Sequence, residues 1–404
     1  RIYPGKFWAL PQSPQIYKQL CMIAGLDKYY QIARCYRDED LRADRQPEFN
    51  QIDIEMSFAD EEDIFTVVEK LMKAIWKETK GIELKTPFER IPYLDSLDRY
   101  GSDKPDLRFG NEIQNMKKIF EKSEFVGFKE GLKDTGTIGA LYFENAANQY
   151  SRKALDQLQD FVKHGFRVQA LAYLKKENGS YTGSIRKVIS EEELKHLDEK
   201  LQVQNNGLVL LISGIKNRTL SALGALRVRL AKELNLIPEG ENYHFAWVTD
   251  FPMFEYSEEE NRWVATHHPF TAIREKDIPY LVSDPQRVLA RAYDLVLNGY
   301  ELLSGSIRIH SQEVQEKVFE SIGLTFEQAK EKFGFFLEAF QYGAPPHGGV
   351  GIGLERLIMC LAHTDNIRDV VAFPTTNSSM DLMSQSPNKV ETEQLNVVGI
   401  EIKK

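Results

Sequence analysis

The sequence predicts an α+β fold in which an antiparallel β-sheet is flanked by helices and a second α+β unit is inserted. Residues 29–37 and 49–58 each alternate polar and apolar side chains, as half-buried strands do. Residues 60–80 then show helical periodicity, with acids at the start and lysines at the end that suit the helix dipole. From about residue 110 the character changes to a separate α+β pattern. These observations together favour a catalytic-type sheet domain interrupted by an insertion.

A short helix is predicted before the strand pair, because residues 13–27 begin with Ser-Pro, carry apolar residues at helical spacing and end near Gly25. Between 110 and 234 the sequence predicts a hairpin, a helix with a capping box, a buried strand and a leucine-striped helix. Their signals are Asn178-Gly179, Ser190 with Glu193, residues 208–212 and residues 220–234. Pro- and Gly-containing segments at 102–110 and 236–242 read as linkers on either side.

Composition places the chain among globular proteins. It has 404 residues, 42% of them apolar, which is enough to bury a full core. Its longest apolar run is far too short for a membrane span and its N-terminus has no signal pattern, so we expect a cytoplasmic protein with no membrane partner. Its three cysteines lie far apart and suggest neither disulfides nor zinc. A net charge of −9 argues against non-specific coating of nucleic acid.

A charged loop, residues 37–48, joins the two predicted strands and contains three arginines, five acids and no lysine. A hairpin loop of this length is unusual and often functional. Two explanations stay open. The loop is either a solvated cluster of self-paired charges or a phosphate-binding element, since planar guanidinium groups bind phosphate in a bidentate manner. In the second strand, the period of two places Gln51, Asp53 and Glu55 on one polar face that is ready for a ligand.

Two carboxylates flank a second turn signal. If Asn298-Gly299 forms a two-residue hairpin, Asp294 lies diagonally from Glu301 on one face, roughly 7 Å away. Such a pair could share a magnesium ion held mainly by substrate phosphates, and two exposed acids on a solvent face are the open alternative. The same alternation turns Arg308 to the opposite face unless a bulge near Gly305 reverses it.

A glycine-rich stretch, residues 347–353, lets backbone approach a ligand closely, and the helix after it carries Arg356 in its first turn. The stretch lacks the features of a P-loop or a dinucleotide fold. Tight packing is the alternative, yet an arginine there suits an anionic ligand. The pair His267 and His268 is weak evidence for a metal. With no nucleophile setting for serine or cysteine, the inventory favours transfer at a polyphosphate.

Taken in order, these segments resemble the class II aminoacyl-tRNA synthetases, and in particular the bacterial-type aspartyl-tRNA synthetases. The matching blocks are "ALPQSPQIYKQL", "CYRDEDLRADRQPEFNQIDIE", "HHPFT", "NGYELLSGSIRIH" and "GIGLERL". The resemblance covers essentially the whole chain. It implies a class II antiparallel sheet flanked by helices, divided into a first catalytic part at 1–109, the family's inserted α+β domain at 110–234 and a second catalytic part at 235–404.

The resemblance also implies a role for each candidate residue. The catalytic set is Arg37, Glu301 and Arg356. The aspartate pocket would be lined by Ser13, Gln15, Lys18, Arg37, His267 and Arg308. ATP would be bound by Arg37, Asp38, Glu39, Gln46, Glu301, Gly353, Leu354, Glu355 and Arg356. Magnesium (Mg2+) would be held by Asp294 and Glu301, and the tRNA acceptor end would meet Arg42 and Arg45. The family likeness also implies the bulge near Gly305.

By this resemblance the chain would activate L-aspartate with ATP and transfer it to tRNA(Asp), with tRNA(Asn) left open and a homodimer expected for the full-length enzyme. Burying Lys18 and Arg308 should favour a side-chain carboxylate over a carboxamide, because an unpaired buried charge costs several kcal/mol. Two departures stand out. The family's anticodon-binding domain and first class motif would precede Arg1, so this chain is expected to lack them, and Thr375 stands where a lysine is expected.

Two rival functions remain open. One is a synthetase-like enzyme that activates aspartate for a small amine instead of tRNA. The charged loop argues against it, since the loop lies where an acceptor stem would dock. The other is a catalytically silent binding module. The joint presence of Arg37, Glu301 and Arg356 argues against that, because a silent site has no need of all three.

Overall fold

The computed structural model describes residues 2–3, 5–38, 40–133 and 135–403. The strands are β1 Lys28–Tyr36, β2 Glu48–Ser57, β3 Glu89–Pro92, β4 Gln114–Asn115, β5 Gly136–Phe143, β6 Ala172–Glu177, β7 Ser180–Gly183, β8 Gly207–Ile215, β9 Phe245–Thr249, β10 Phe254–Ser257, β11 Arg262–Ala265, β12 Ala292–Leu297, β13 Tyr300–Ile307 and β14 His347–Gly353. The α-helices are α1 Gln15–Ile23, α2 Glu61–Lys80, α3 Tyr93–Tyr100, α4 Lys117–Phe120, α5 Val126–Gly131, α6 Arg152–Phe166, α7 Glu191–Leu201, α8 Lys216–Glu233, α9 Gln312–Ser321, α10 Phe326–Ala339, α11 Leu354–Leu361 and α12 Thr392–Val398.

The chain divides into two compact units. The first comprises Arg1–Pro87, Pro252–Asp294 and Leu302–Lys404, and the second comprises Phe88–Phe251 and Leu295–Glu301. The second unit is wider than the inserted domain predicted at 110–234. It also takes in β3 and β9, which pair in parallel from Glu89↔Ala246 to Pro92↔Thr249. The predicted boundaries at 110 and 234 remain a prediction.

The first unit is built on antiparallel strands, as the sequence predicts. β1 pairs with β2 from Lys28↔Met56 to Tyr36↔Glu48, β2 pairs with β14, and β14 pairs with β13. Helix α2 begins at a capping box formed by Asp60 and Asp63 and ends at Gly81, whose φ of 70° closes the helix. Its apolar stripe is buried, including Phe65, which meets Tyr293 of β12 edge to face. The predicted strand pair, helix α1 and helix α2 are therefore confirmed.

The second unit contains a five-stranded antiparallel sheet in the order β4-β5-β8-β6-β7. The central strand β8 is buried on both faces, which explains its unbroken apolar sequence. Leu208, Leu210 and Ile212 pack with α6 and α8, while Val209 and Leu211 pack with α4, α5 and α7. The predicted turn at Asn178-Gly179, the capping box of α7 and the leucine stripe of α8 are all confirmed.

A buried arginine fixes the segment that the sequence reads as a linker. Arg227 of α8 donates hydrogen bonds to the carbonyls of Asp106, Phe109, Gly110 and Asn111 at 2.8–3.2 Å. Its guanidinium also lies 4.1 Å from the ring of Phe109, and burial lowers its pKa to about 10. The four hydrogen bonds and the ring contact of the Arg227 guanidinium explain why residues 106–111 belong to the second unit.

Candidate active site

The polar face of β2 lies opposite a strip of β14 that has no side chains. In the register of the two strands, Glu55 is paired with Gly349 and Asp53 with Gly351. Directly paired residues point to the same face of an antiparallel sheet. A Cβ at position 349 would lie only 2.1 Å from a carboxylate oxygen of Glu55. Gly349 therefore leaves the space that the Glu55 carboxylate occupies.

Two positive and two negative side chains meet here and form what we call the buried ion cluster: Lys18, Arg308, Asp53 and Glu55. Lys18 Nζ donates to Asp53 Oδ1 at 2.9 Å and lies 3.3 Å from Glu55 Oε2. Arg308 contacts Glu55 through two bonds, Nε to Oε1 at 2.8 Å and an Nη to Oε2 at 3.1 Å. All four residues are at most 2% exposed. Two cations and two carboxylates balance, which is what burial of charge requires.

Arg308 reaches the cluster by plain alternation along β13. The pairing of β13 with β14 runs unbroken from Leu303↔Ile352 to Ile307↔Gly348. The bulge expected near Gly305 is therefore absent from this ladder, and that expectation is wrong for this side of β13. Ser306 is paired with Gly349, so Arg308, two residues on, lies on the same face, and the two side chains are hydrogen bonded at 2.6 Å. Continuous alternation alone brings Arg308 to Glu55.

The ionisation of Glu55 follows from these contacts. Burial raises the pKa of its carboxyl, but Arg308 and Lys18 outweigh burial and the net pKa is lowered. The pKa of Arg308 is raised, because Glu55 offsets the desolvation of the guanidinium. Both groups therefore remain charged at neutral pH.

His268 lies against the same guanidinium and must be neutral. An Nη atom of Arg308 is 2.9 Å from His268 Nε2, and arginine has no acceptor, so Nε2 accepts; the backbone N–H of Phe270 lies 3.2 Å from Nδ1 on the other side of the ring. Thr271 Oγ1 lies 3.3 Å from that Nδ1. Burial, followed by the positive charge of Arg308, holds the pKa of His268 well below 6.5. His347 is fully buried, and desolvation lowers its pKa as well.

The neutral, partly buried His268 predicts a pH dependence of stability. Below about pH 6.5, His268 binds a proton in the unfolded chain but not in the folded chain. The free energy of unfolding should therefore decrease as the pH is lowered, by up to about 1.4 kcal/mol per pH unit. His268→Gln should flatten this slope between pH 6.5 and 5 in urea unfolding. His196→Gln, which changes an exposed histidine of α7, is the matched control. An unchanged slope in His268→Gln would contradict the assignment.

The remaining predicted aspartate residues lie nearby in the first unit. Gln15 is in the first turn of α1, three residues before Lys18, and Ser13 lies just before that helix. The side-chain Nε2 of Gln15 and the Oδ2 of Asp53 are buried and have no hydrogen-bond partner within the described parts of the chain. One donor and one acceptor are thus left for a ligand. His267 Nε2 lies 3.7 Å from Asp294 Oδ1.

The two predicted metal carboxylates fall in different compact units, Asp294 in the first and Glu301 in the second. Asp294 is 5% exposed, and its Oδ1 accepts no hydrogen bond from the described residues. The turn before Glu301 is as predicted, because Asn298 and Gly299 both have positive φ, 53° and 91°. Among the residues that the structure describes, no group of three or more histidine, cysteine or acidic side chains could hold a metal ion.

The first half of the charged loop follows β1. Arg37 comes directly after the strand, where its backbone N–H bonds Pro47 O at 2.8 Å and its guanidinium lies 5.1 Å from the ring of Phe49. Asp38 and Arg42 are exposed and Arg45 is partly buried. Glu39, predicted to bind ATP, lies outside the described residues.

The second half of the loop contacts α11, the helix after the glycine-rich strand, and the segment that follows that helix. Gln46 Oε1 accepts from Thr375 N at 2.9 Å and Thr375 Oγ1 at 3.0 Å. Gly353 precedes α11, in which Leu354 and Glu355 form the first turn with Arg356. The Glu355 carboxylate accepts from the backbone and side chain of Asn50. Arg356 lies 3.3 Å from Asp44 of the loop.

Three residues that contact the predicted site residues were not named among them: Asp53, Glu55 and His268. The alternation of β2 had marked its polar face, and that was the available signal for the two acids. Their partners were not predictable from local pattern, since Glu55 and Arg308 are 253 positions apart. His268 was set aside because a histidine pair without further ligands is weak evidence for a metal; its Nε2 contacts Arg308.

The chain is similar to known proteins along its whole length. A family model described as "tRNA synthetases class II (D, K and N)" matches residues 1–377. The "Aspartate--tRNA ligase" of Clostridium tetani (strain Massachusetts / E88) is 49% identical over 405 residues, covering 100% of this chain and 68% of that protein. The "Aspartate--tRNA(Asp/Asn) ligase" of Anoxybacillus flavithermus (strain DSM 21510 / WK1) is 48% identical over 403 residues, with the same coverage, 100% and 68%.

This chain therefore spans about two thirds of the length of these relatives. In the described ranges no helix is both long and apolar enough to cross a membrane. The antiparallel strands, the flanking helices and the buried ion cluster agree with the fold expected from the sequence. Because the family model matches residues 1–377 and relatives nearly half identical cover the whole chain, this chain belongs to the class II tRNA synthetases of the D, K and N group.

Proposed function

We propose that this chain activates L-aspartate with ATP, giving aspartyl-adenylate and pyrophosphate, and transfers the aspartyl group to the 3′ end of tRNA(Asp). It is thus an aminoacyl-tRNA synthetase, an aspartate–tRNA ligase. The observation that carries this proposal is the 49% identity, over the whole chain, to a relative named for that reaction. The buried ion cluster supports it, since it supplies two cations and two anions where a small charged zwitterion could bind.

Aspartate recognition is assigned to the buried ion cluster and its surroundings. Lys18 and Arg308 bind the side-chain carboxylate of the substrate, and the unsatisfied Oδ2 of Asp53 binds its ammonium group. Glu55 keeps Arg308 in place through two hydrogen bonds. Asparagine is disfavoured because its carboxamide cannot replace a carboxylate beside two buried cations. Further lining comes from Ser13, Gln15, Arg37 and His267.

ATP is assigned to the charged loop and the start of α11. Arg37 binds the α-phosphate, at which the substrate α-carboxylate attacks, and Arg356 binds the far phosphates of the leaving pyrophosphate. Stabilising charge at the reacting phosphorus is the main demand of this chemistry, and two arginines on fixed elements meet it. The adenosine end and the backbone near it are assigned to Asp38, Glu39, Gln46, Gly353, Leu354 and Glu355.

Magnesium is assigned to Asp294 and Glu301. Carboxylate oxygens suit this ion, and the buried Oδ1 of Asp294, which accepts no hydrogen bond from the described residues, fits a ligand of that kind. When bound, the ion would neutralise charge on the phosphates.

The acceptor end of tRNA is assigned to Arg42 and Arg45 of the charged loop. One relative is named for tRNA(Asp/Asn), so tRNA(Asn) is a second candidate acceptor. We further propose that the full-length enzyme is a homodimer. Its proposed location is the cytoplasm, where tRNA is charged.

The test is ATP–pyrophosphate exchange with aspartate, asparagine and glutamate in turn. We expect exchange with aspartate, and Lys18→Ala should lower kcat/KM for aspartate about 10²–10³-fold, since it leaves buried carboxylates short of a cation. Lys70→Ala, which removes an exposed lysine of α2, is the control. Lys18→Arg keeps the charge and shows whether the fold survives a change at this position. Unchanged activity of Lys18→Ala would refute the aspartate assignment.

The same assay separates the rival functions. Aspartate-dependent exchange without charging of either tRNA would favour an enzyme that serves a small amine. Absence of exchange with any amino acid would favour a silent binding module.

A further inference from the structure

The second half of the charged loop is bound to the segment around and after α11 by several independent contacts. Ile367 N donates to Ala43 O at 2.8 Å, and Thr375 bonds the amide oxygen of Gln46 twice. Arg368 reaches Arg42 O at 3.5 Å. The second half of the loop is therefore held in one defined position.

Arg356 takes part in this attachment through Asp44. An Nη atom of Arg356 lies 3.3 Å from Asp44 Oδ2 and 3.4 Å from the carbonyl oxygen of the same residue. The side chains are 19% and 30% exposed, so water screens the pair only in part. Asp44 is thus an anionic group of the chain that touches the arginine assigned to the phosphates.

We infer that Asp44 and the far phosphates of ATP compete for Arg356, so that Asp44 is a positioning residue that holds Arg356 and the loop until ATP displaces it. The inference rests on the proposed function for its assignment of Arg356. A carboxylate and a phosphate both accept hydrogen bonds from a guanidinium, and two anions beside one guanidinium repel each other. Apparent ATP affinity is therefore the intrinsic affinity multiplied by the fraction of molecules in which Asp44 has released Arg356.

This competition would explain why the loop contains both acidic residues and arginines. ATP binding would free the loop carboxylate from Arg356 and loosen the attachment of residues 42–46, which include both arginines assigned to the tRNA end. Departure of pyrophosphate would let Asp44 return. Binding of ATP and binding of the tRNA end would then be coupled through the ion pair between Asp44 and Arg356.

The test measures binding of Mg·ATP to the full chain by calorimetry without amino acid. Asp44→Asn should lower the Kd for ATP about two- to fivefold, the range expected for loss of a partly exposed ion pair. Asp44→Glu should keep the Kd close to that of the unchanged chain. Asp40→Asn removes the same charge from an exposed position of the same loop and should change the Kd less than about twofold.

A double-mutant cycle with Arg356→Gln isolates the pair. Asp44→Asn should have no effect once Arg356 is replaced. The inference is overturned if Asp44→Asn leaves ATP binding unchanged or weakens it, as a purely structural role would. It is equally overturned if Asp40→Asn tightens binding as much, or if Asp44→Asn tightens it in the Arg356→Gln background. Failure of the proposed function would instead appear as an unchanged chain that binds ATP but shows no aspartate-dependent exchange.

Discussion

Exchanging Arg308 for leucine is expected to lower the free energy of unfolding by about 3–5 kcal/mol and to abolish aspartate-dependent exchange. Glu55, which is 0% exposed, would lose two hydrogen bonds from the guanidinium and keep only Lys18 as a cation nearby. Leaving a buried carboxylate poorly compensated is among the most costly single changes in a protein. Urea unfolding at pH 7 measures the loss.

The variant should also respond to pH in a diagnostic direction. In the unchanged chain the pKa of Glu55 is lowered, so its stabilisation is present above about pH 4.5 and is lost on acidification through the lower folded value. Without Arg308, burial would raise that pKa instead. The stability deficit of Arg308→Leu should therefore shrink between pH 7 and 5, as Glu55 takes up a proton. A deficit that is independent of pH would show that packing, not charge, is responsible.

Arg291→Leu is the matched control. Arg291 makes the same two-pronged contact with a glutamate, Glu61, but these side chains are 33% and 31% exposed. Water can therefore replace the lost contact, and the cost should stay below about 1 kcal/mol. The double variant Glu55→Gln with Arg308→Leu should recover at least about 1 kcal/mol relative to Arg308→Leu alone, while exchange stays lost. Equal costs for Arg308→Leu and Arg291→Leu would contradict the argument.

The elements that sequence analysis predicted correctly are those set by local chemistry. The Asn298-Gly299 and Asn178-Gly179 turns need two residues that tolerate positive φ, and both have it. The capping box of α7 and the alternation in β1 and β2 are likewise decided within a few residues. Each of these signals lies inside the element that it specifies.

The pairing within the site needed more than local signals. Alternation identified the polar face of β2, but the cations that meet Asp53 and Glu55 come from α1 and from the end of β13. Strand register, which depends on the whole sheet, decides these partners. The sequence also predicted that the glycines of β14 would admit a ligand. It could not show that two of them face the carboxylates of β2.

The attachment of residues 106–111 to α8 could not be predicted for a similar reason. Residues 102–110 have the proline, glycine and charge content of a linker, and the sequence was interpreted that way. Arg227, more than a hundred positions later, binds four carbonyls of this segment. A buried guanidinium with several acceptors cannot be recognised as such in a helix pattern, where it reads as one polar residue in a leucine stripe.

Gly349→Ala is expected to destabilise the first unit by more than about 4 kcal/mol or to prevent its folding. A Cβ at this position would lie 2.1 Å from the carbonyl oxygen of Ile54 and 2.1 Å from Glu55 Oε2. The first atom belongs to the backbone of a neighbouring central strand, so it cannot rotate away. The second belongs to the buried ion cluster, whose four contacts would have to rearrange. Thermal unfolding and the yield of soluble protein measure the effect.

Gly353→Ala in the same strand separates this argument from a general intolerance of alanine. A Cβ there would meet Arg356 Cβ at 3.6 Å and Leu302 O at 3.8 Å, which are ordinary contacts, so the unfolding temperature should hardly change. Adding Glu55→Ala to Gly349→Ala should not restore folding, because the backbone carbonyl of Ile54 would still block the new methyl group. Restoration would mean that only the carboxylate needs the space. Failure to restore would show that the glycine serves the approach of two strands as well as the site between them.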